Sequence, residues 1–113
     1  MANAVAPTEI RLSKDKRVLS VTFDDTTYDM TAELLRVESP SADVQGHTAS
    51  QKKTITGKEN VTIMEIEQVG NYAVKLTFDD MHNSGIFSWS TLLDYGQNHD
   101  TMMDAYHKAV AAL

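Results

Sequence analysis

The sequence predicts an α+β domain: a mostly antiparallel sheet of five or six strands, with short helices packed on it and a C-terminal helix. Three observations predict it. Alternating apolar and polar residues fill the first and middle thirds, turn residues divide them at hairpin spacing, and the last segment changes to a helical period.

Glu9 to Leu12 reads as a first strand at an edge. From Arg17, Leu19, Val21 and Phe23 alternate with Ser20 and Thr22, the pattern of a half-buried strand. Asp24 to Thr27 forms a turn, and Tyr28 and Met30 begin the return strand. Thr31 caps a short helix, Ala32 to Arg36, because its hydroxyl can accept a backbone N–H of the first turn. Val61 to Val69 is the next strand, with apolar residues on both parities, which predicts partial burial on two faces. Gly70-Asn71 marks a turn, Tyr72 to Phe78 alternates again, and Gly85 to Phe87 is its partner. Ser88 caps a helix from Trp89 to Tyr95, which Gly96 ends. Asp100 caps the last helix, Thr101 to Ala112, where Met102, Tyr106, Ala109 and Leu113 form a packing stripe. Trp89 and Tyr72 read as aromatic core anchors. The string Ser-Val-Thr-Phe-Asp-Asp (20–25) returns as Lys-Leu-Thr-Phe-Asp-Asp (75–80), which predicts two similar hairpins in one sheet.

The 113 residues fit one domain, residues 8–113, behind a frayed tail, residues 1–7. The chain carries 10 basic and 16 acidic side chains, a formal net charge of -6. Such a surface repels phosphate backbones, so no nucleic-acid partner is expected. No run of 18 apolar residues and no signal-peptide pattern occurs, which predicts no membrane association and a cytoplasmic location. The absence of cysteine excludes disulfides, thiol nucleophiles, and thiolate-held zinc or iron–sulfur clusters.

The segment from Val37 to Asn60 lacks periodicity. Loops of more than about 12–15 residues in compact domains carry function or are disordered. Its first part, Ser39 to His47, is rich in turn residues with Val44 as an anchor; Thr48 to Thr56 reads as mobile. Gly57-Lys58 does not make a phosphate loop, because position 52 is Lys and position 59 is Glu. Among the histidines, His99 and His107 read as solvated. Asp80-x-His82 offers a carboxylate and an imidazole in a turn, a pair that suits zinc or ferrous iron, with His47 as a third ligand if the long loop folds over it. His47 with Ser39, Ser41 and Asp43 could instead form an acid–base or anion site, although no nucleophile or cofactor motif accompanies them.

Four strings carry a resemblance. They are Leu-Arg-Val-Glu-Ser-Pro-Ser-Ala-Asp-Val-Gln-Gly-His (35–47), Gly-Lys-Glu-Asn-Val (57–61), Val-Gly-Asn-Tyr-Ala-Val (69–74) and Phe-Asp-Asp-Met-His-Asn-Ser-Gly-Ile-Phe-Ser-Trp (78–89). In this order they resemble the small domain at the N-terminus of gamma-butyrobetaine hydroxylase, which also occurs as stand-alone bacterial proteins of unassigned function. The resemblance runs from about Pro7 to Gly96. It implies a zinc site in the hydroxylases whose Cys-Pro-Cys-x-x-Cys string falls on Ser39, Ser41 and Val44 here, and whose histidine falls on His82. One ligand of four is therefore retained, and the serine form resembles that of the stand-alone relatives. The iron- and 2-oxoglutarate-binding catalytic domain of the hydroxylases has no counterpart, so oxygenase activity does not transfer. The family usually has glycine after the paired acids, where this chain has Thr26 and Met81; a glycine enters a positive-φ turn freely and Met81 would be strained there. Some relatives are linked to P-loop carriers of iron–sulfur clusters, which implies a carrier ATPase as partner and a tie to iron–sulfur metabolism.

The function expected is a non-enzymatic binding or adaptor module without a cofactor. It presents Ser39, Ser41, Asp43, His47 and His82 to a partner, with the Ser39–His47 loop and the Asp80–Gly85 turn as neighbours. The alternative is a weak iron or zinc binder through His82, with His47 and Asp80. A small enzyme with His47 as general base is a third reading.

Overall fold

The computed structural model describes residues 6–39, 55–82 and 85–113. Ser41, Asp43, Val44 and His47 lie outside them, as does the Thr48–Thr56 stretch up to residue 54.

The first meander holds β1 (Glu9–Leu12), β2 (Val18–Phe23) and β3 (Thr26–Thr31), antiparallel in the order β1-β2-β3. The second holds β4 (Ile63–Val69), β5 (Ala73–Phe78) and β6 (Gly85–Ser88), antiparallel in the order β4-β5-β6. The strands are thus split between two three-stranded sheets, where the alternation predicted a single sheet of five or six. Alternation states which side chains seek a core, not which strands are neighbours, and the aperiodic segment interrupts the pairing after β3. A backbone bond from Ile63 N–H to the Lys16 carbonyl (2.9 Å) stitches the second sheet to the β1–β2 turn.

The repeated string finds its meaning here. Both copies run through the central strand of a meander, β2 or β5, and each strand ends on a buried phenylalanine, Phe23 or Phe78, before the paired acids. They then diverge. Phe23 pairs with Thr26 across a tight two-residue turn, with Asp24 at φ 53°. After Phe78 the chain makes a longer excursion before β6, with Met81 at φ 70°.

One core joins the sheets. Leu19, Val21 and Met30 from the first meet Ile63, Val74, Leu76, Phe78 and Phe87 from the second, with Leu35, Trp89 and Leu92 from the helices. Helix α1 (Ala32–Val37) starts where expected: the Leu34 N–H donates to Thr31 Oγ1 (3.2 Å). Helix α2 (Trp89–Gln97) starts on Ser88, whose Oγ accepts the Thr91 N–H (3.2 Å). Trp89 is buried and its indole N–H donates to the Asn71 carbonyl (2.6 Å), whereas Tyr72, expected as a second anchor, is exposed.

Four expectations at the C-terminus are corrected. Gly96 does not end α2, which runs on to Gln97. Its missing side chain serves packing: a Cβ there would lie 2.6 Å from Tyr28 Cβ, so glycine lets α2 lie against β3. Helix α3 (His99–Ala111) follows Asn98 directly, with no side-chain cap bond, and Asp100 sits in its first turn. Of the expected packing stripe only Tyr106 is buried, with its hydroxyl donating to the Ile55 carbonyl (2.6 Å); Ala109 and Leu113 are exposed. His99 is not solvated: its side chain is largely buried, with Nε2 3.3 Å from the Thr31 amide N and Nδ1 3.1 Å from Asp100 Oδ1. His107 is exposed, as expected.

Candidate functional site

Helix α1 and the β5–β6 turn bring the candidate residues together. Arg36 stands in the last turn of α1, and Ser39 follows it just past the end. The turn after Phe78 carries Asp80, Met81 and His82. Its geometry is fixed by two backbone bonds: Met81 N–H to the Phe78 carbonyl and Phe78 N–H to the His82 carbonyl, 2.9 Å each.

Asp80 is the electrostatic centre. Its Oδ2 accepts from Arg36 Nε (2.8 Å) and Lys58 Nζ (2.6 Å), while Oδ1 accepts the His82 backbone N–H (3.1 Å). Burial alone would raise its pKa, but the hydrogen bonds from Lys58, His82 and Arg36 outweigh it and hold the group down at about 2. Arg36 is largely buried, and its Nη1 is enclosed without a hydrogen-bond partner among the described residues. A cavity of about 210 Å³ opens beside this cluster, lined by Gly57, Lys58, Asn60, Val61, Asp79 and Asp80.

Among the described residues Ser39 is the one buried polar residue, wholly shielded from solvent. Its Oγ lies 3.1 Å from His82 Nε2, and which atom donates depends on the imidazole tautomer. Gly85 makes room for this contact: a Cβ there would stand 2.5 Å from Ser39 Oγ. The neighbouring Glu38 carbonyl accepts from the Tyr95 hydroxyl of α2 (2.7 Å), which ties the end of α1 to the second helix. Burial first, then Glu38 and Asp94, push the Tyr95 phenol up to about 12, so it remains a donor at all physiological pH.

The sequence offered Asp80 as a candidate metal ligand. Its oxygens accept from two cations and an amide, and no group of three or more metal-binding side chains occurs among the described residues. Sequence reasoning missed Arg36 and Lys58 as members of the site. They lie far from Asp80 along the chain, and only the lone Gly-Lys pair pointed to Lys58. Met81 does take the positive φ that glycine usually supplies. An L-residue there costs about 1–2 kcal/mol, less the backbone entropy that glycine would lose. Because Met81 is 80% exposed, Met81→Gly should raise stability by about 0.5–1 kcal/mol, read as a Tm increase of about 3–6 °C in thermal unfolding. An unchanged or lower Tm would contradict the strain.

The gamma-butyrobetaine hydroxylase-like, N-terminal family matches residues 10–93, most of the chain. This protein belongs to that family. Two solution NMR structures have the same fold at 38% and 39% identity, each with a TM-score of 0.83; the matches cover 96% and 99% of this chain and 86% and 84% of theirs. A crystal structure of a protein of unknown function of the DUF971 family, from Acidithiobacillus ferrooxidans, is 41% identical with a TM-score of 0.65, over 81% of this chain and 93% of its own. No curated protein matches. Of the four positions at which the family resemblance puts zinc ligands, two are among the described residues. These are Ser39 and His82, and they are in hydrogen-bond contact. No helix among the described residues is long and apolar enough to cross a membrane.

Proposed function

We propose that this domain is a non-enzymatic binding or adaptor module of the cytoplasm, which presents the corner around Ser39, Asp80 and His82 to a partner protein. The observation that carries this reading is that Asp80, Ser39 and His82 are engaged by neighbours within the corner. Asp80 is neutralised by Arg36 and Lys58, and Ser39 is buried against His82. A general base needs a reachable substrate proton, and a nucleophile needs an open approach. A rigid, internally paired corner with the exposed Met81 at its tip suits recognition better. The reading also takes in Ser41, Asp43 and His47, which lie outside the described residues, and an iron–sulfur carrier ATPase is the partner class that the family resemblance suggests.

The test is capture of partners from the native cell with the tagged full chain, beside Met81→Asp. Aspartate tolerates the left-handed backbone, so the variant keeps the fold while changing the tip. A specific protein retained by the wild type and lost with Met81→Asp supports the module. Retention that ignores position 81, or no specific partner, overturns it. The alternative, weak iron or zinc binding through His82 with His47 and Asp80, is decided by metal analysis of untagged protein. Stoichiometric metal that disappears in His82→Ala would replace the adaptor reading.

A further inference from the structure

Strand β4 is unlike the other strands of its sheet. Only Ile63 is buried; Met64 through Gln68 are all exposed, and Val69 is half-buried. A strand packed on one face should alternate, and the sequence, with apolar residues on both parities, predicted burial on two. Neither occurs. Met64 is 56% exposed and Ile66 36%. β4 is also an edge strand: β5 pairs with one side, and no strand among the described residues pairs with the other. Ile63 N–H is taken by the Lys16 carbonyl, so the free edge begins after it, at the irregularity between Ile63 and Glu65.

The side chains say what fits there. Glu65 pairs with Thr77 and Glu67 with Lys75 across the sheet, so the two carboxylates share the outer face. Ile66, opposite Leu76, and Gln68, opposite Val74, face the core side but extend beyond its cover. Glu65 makes no ion pair among the described residues, and Glu67 has only an exposed contact with Lys75 at 3.5 Å, of the kind that contributes little. A second copy fits badly. Antiparallel pairing of two β4 edges about Ile66 would set Glu65 against Glu67 twice, and like charges directly opposite are destabilising.

We propose that the free edge of β4 is a strand-addition site for an extended segment of another protein, with basic residues at alternate positions and apolar residues between them. The added strand gains backbone hydrogen bonds along 64–68, sets Lys or Arg beside Glu65 and Glu67, and covers Ile66. The exposed glutamates that guard a solitary edge against chance pairing then become its selectivity. This site is separate from the Ser39–His82 corner and stands or falls apart from it.

The test uses the full chain, isotope-labelled for NMR, and two soluble heptapeptides, one alternating Lys with Val and one alternating Glu with Val. The Lys–Val peptide should shift and protect amides within 64–68, and its affinity should fall as salt rises. The Glu–Val peptide should leave them unmoved. Glu65→Lys/Glu67→Lys, two exposed positions whose exchange leaves the core untouched, should weaken the Lys–Val peptide by about tenfold and admit the Glu–Val one. Equal binding of both peptides, shifts elsewhere on the surface, no shifts at all, or a concentration-dependent dimer that protects 64–68 would each overturn the proposal.

Discussion

Asp80→Asn is expected to lower stability at neutral pH by about 2–4 kcal/mol, the scale for removing one partner of a largely buried ion cluster. The reason is what it leaves behind. Arg36 and Lys58, 13% and 23% exposed, would face each other with no carboxylate between them. The pH dependence follows from the same cluster. The Asp80 carboxyl stands at about 2 in the fold against 3.8 for a free one. A depressed pKa means that folding favours the ionised form. Its contribution, about 2.5 kcal/mol, is complete well above pH 3.8 and is lost as pH falls through the folded pKa. Urea unfolding of wild type and Asp80→Asn should therefore show a gap at pH 7 that narrows by about 2 kcal/mol near pH 2. A gap of the same size at both pH values would show that Asp80 acts through shape and not charge.

Gly85→Ala is the second large effect, a loss of about 2–3 kcal/mol from overpacking. The new Cβ would meet Ser39 Oγ at 2.5 Å and Phe87 Cε1 at 3.0 Å. Ser39 is fully buried, and moving its hydroxyl breaks the contact with His82, so neither neighbour yields cheaply. Ser39→Ala removes the nearer obstacle. The double variant Ser39→Ala/Gly85→Ala should then be more stable than the sum of the single losses predicts, by at least about 1 kcal/mol. Strict additivity would mean that Phe87, and not Ser39, sets the limit.

Much of this architecture was legible residue by residue. The alternation of Leu19, Val21 and Phe23 marked a half-buried strand, and Thr31 and Ser88 were recognisable as caps because a hydroxyl before a helical run has one obvious donor to satisfy. The grouping of strands was not legible, since side-chain periodicity carries no information about backbone neighbours once a long aperiodic segment intervenes. Gly96 shows a related ambiguity. A glycine near a helix end suits a left-handed cap or a close neighbour, and only the position of Tyr28 reveals the second. The α3 stripe had the right period but little to pack against, because a helical period records a possible face and not a partner. For the candidate site, the contact between Ser39 and His82 followed the family resemblance. The ion cluster at Asp80 was not legible: Arg36 and Lys58 arrive from elsewhere in the chain, and no local spacing links them to the carboxylate.

Twin meanders sharing one core also bear on how the chain assembles. Within each meander the strands are joined by short turns, so most sheet hydrogen bonds close small loops and cost little entropy to form. Neither meander can shield its apolar face alone: Leu19 and Met30 need Phe78 and Phe87, and the reverse holds. The segment after α1 therefore spans the longest closure in the fold, the one that brings the two meanders together. Most length variation in that segment, which also carries the candidate partner surface, would cost the fold little, because closure entropy grows only slowly with loop length.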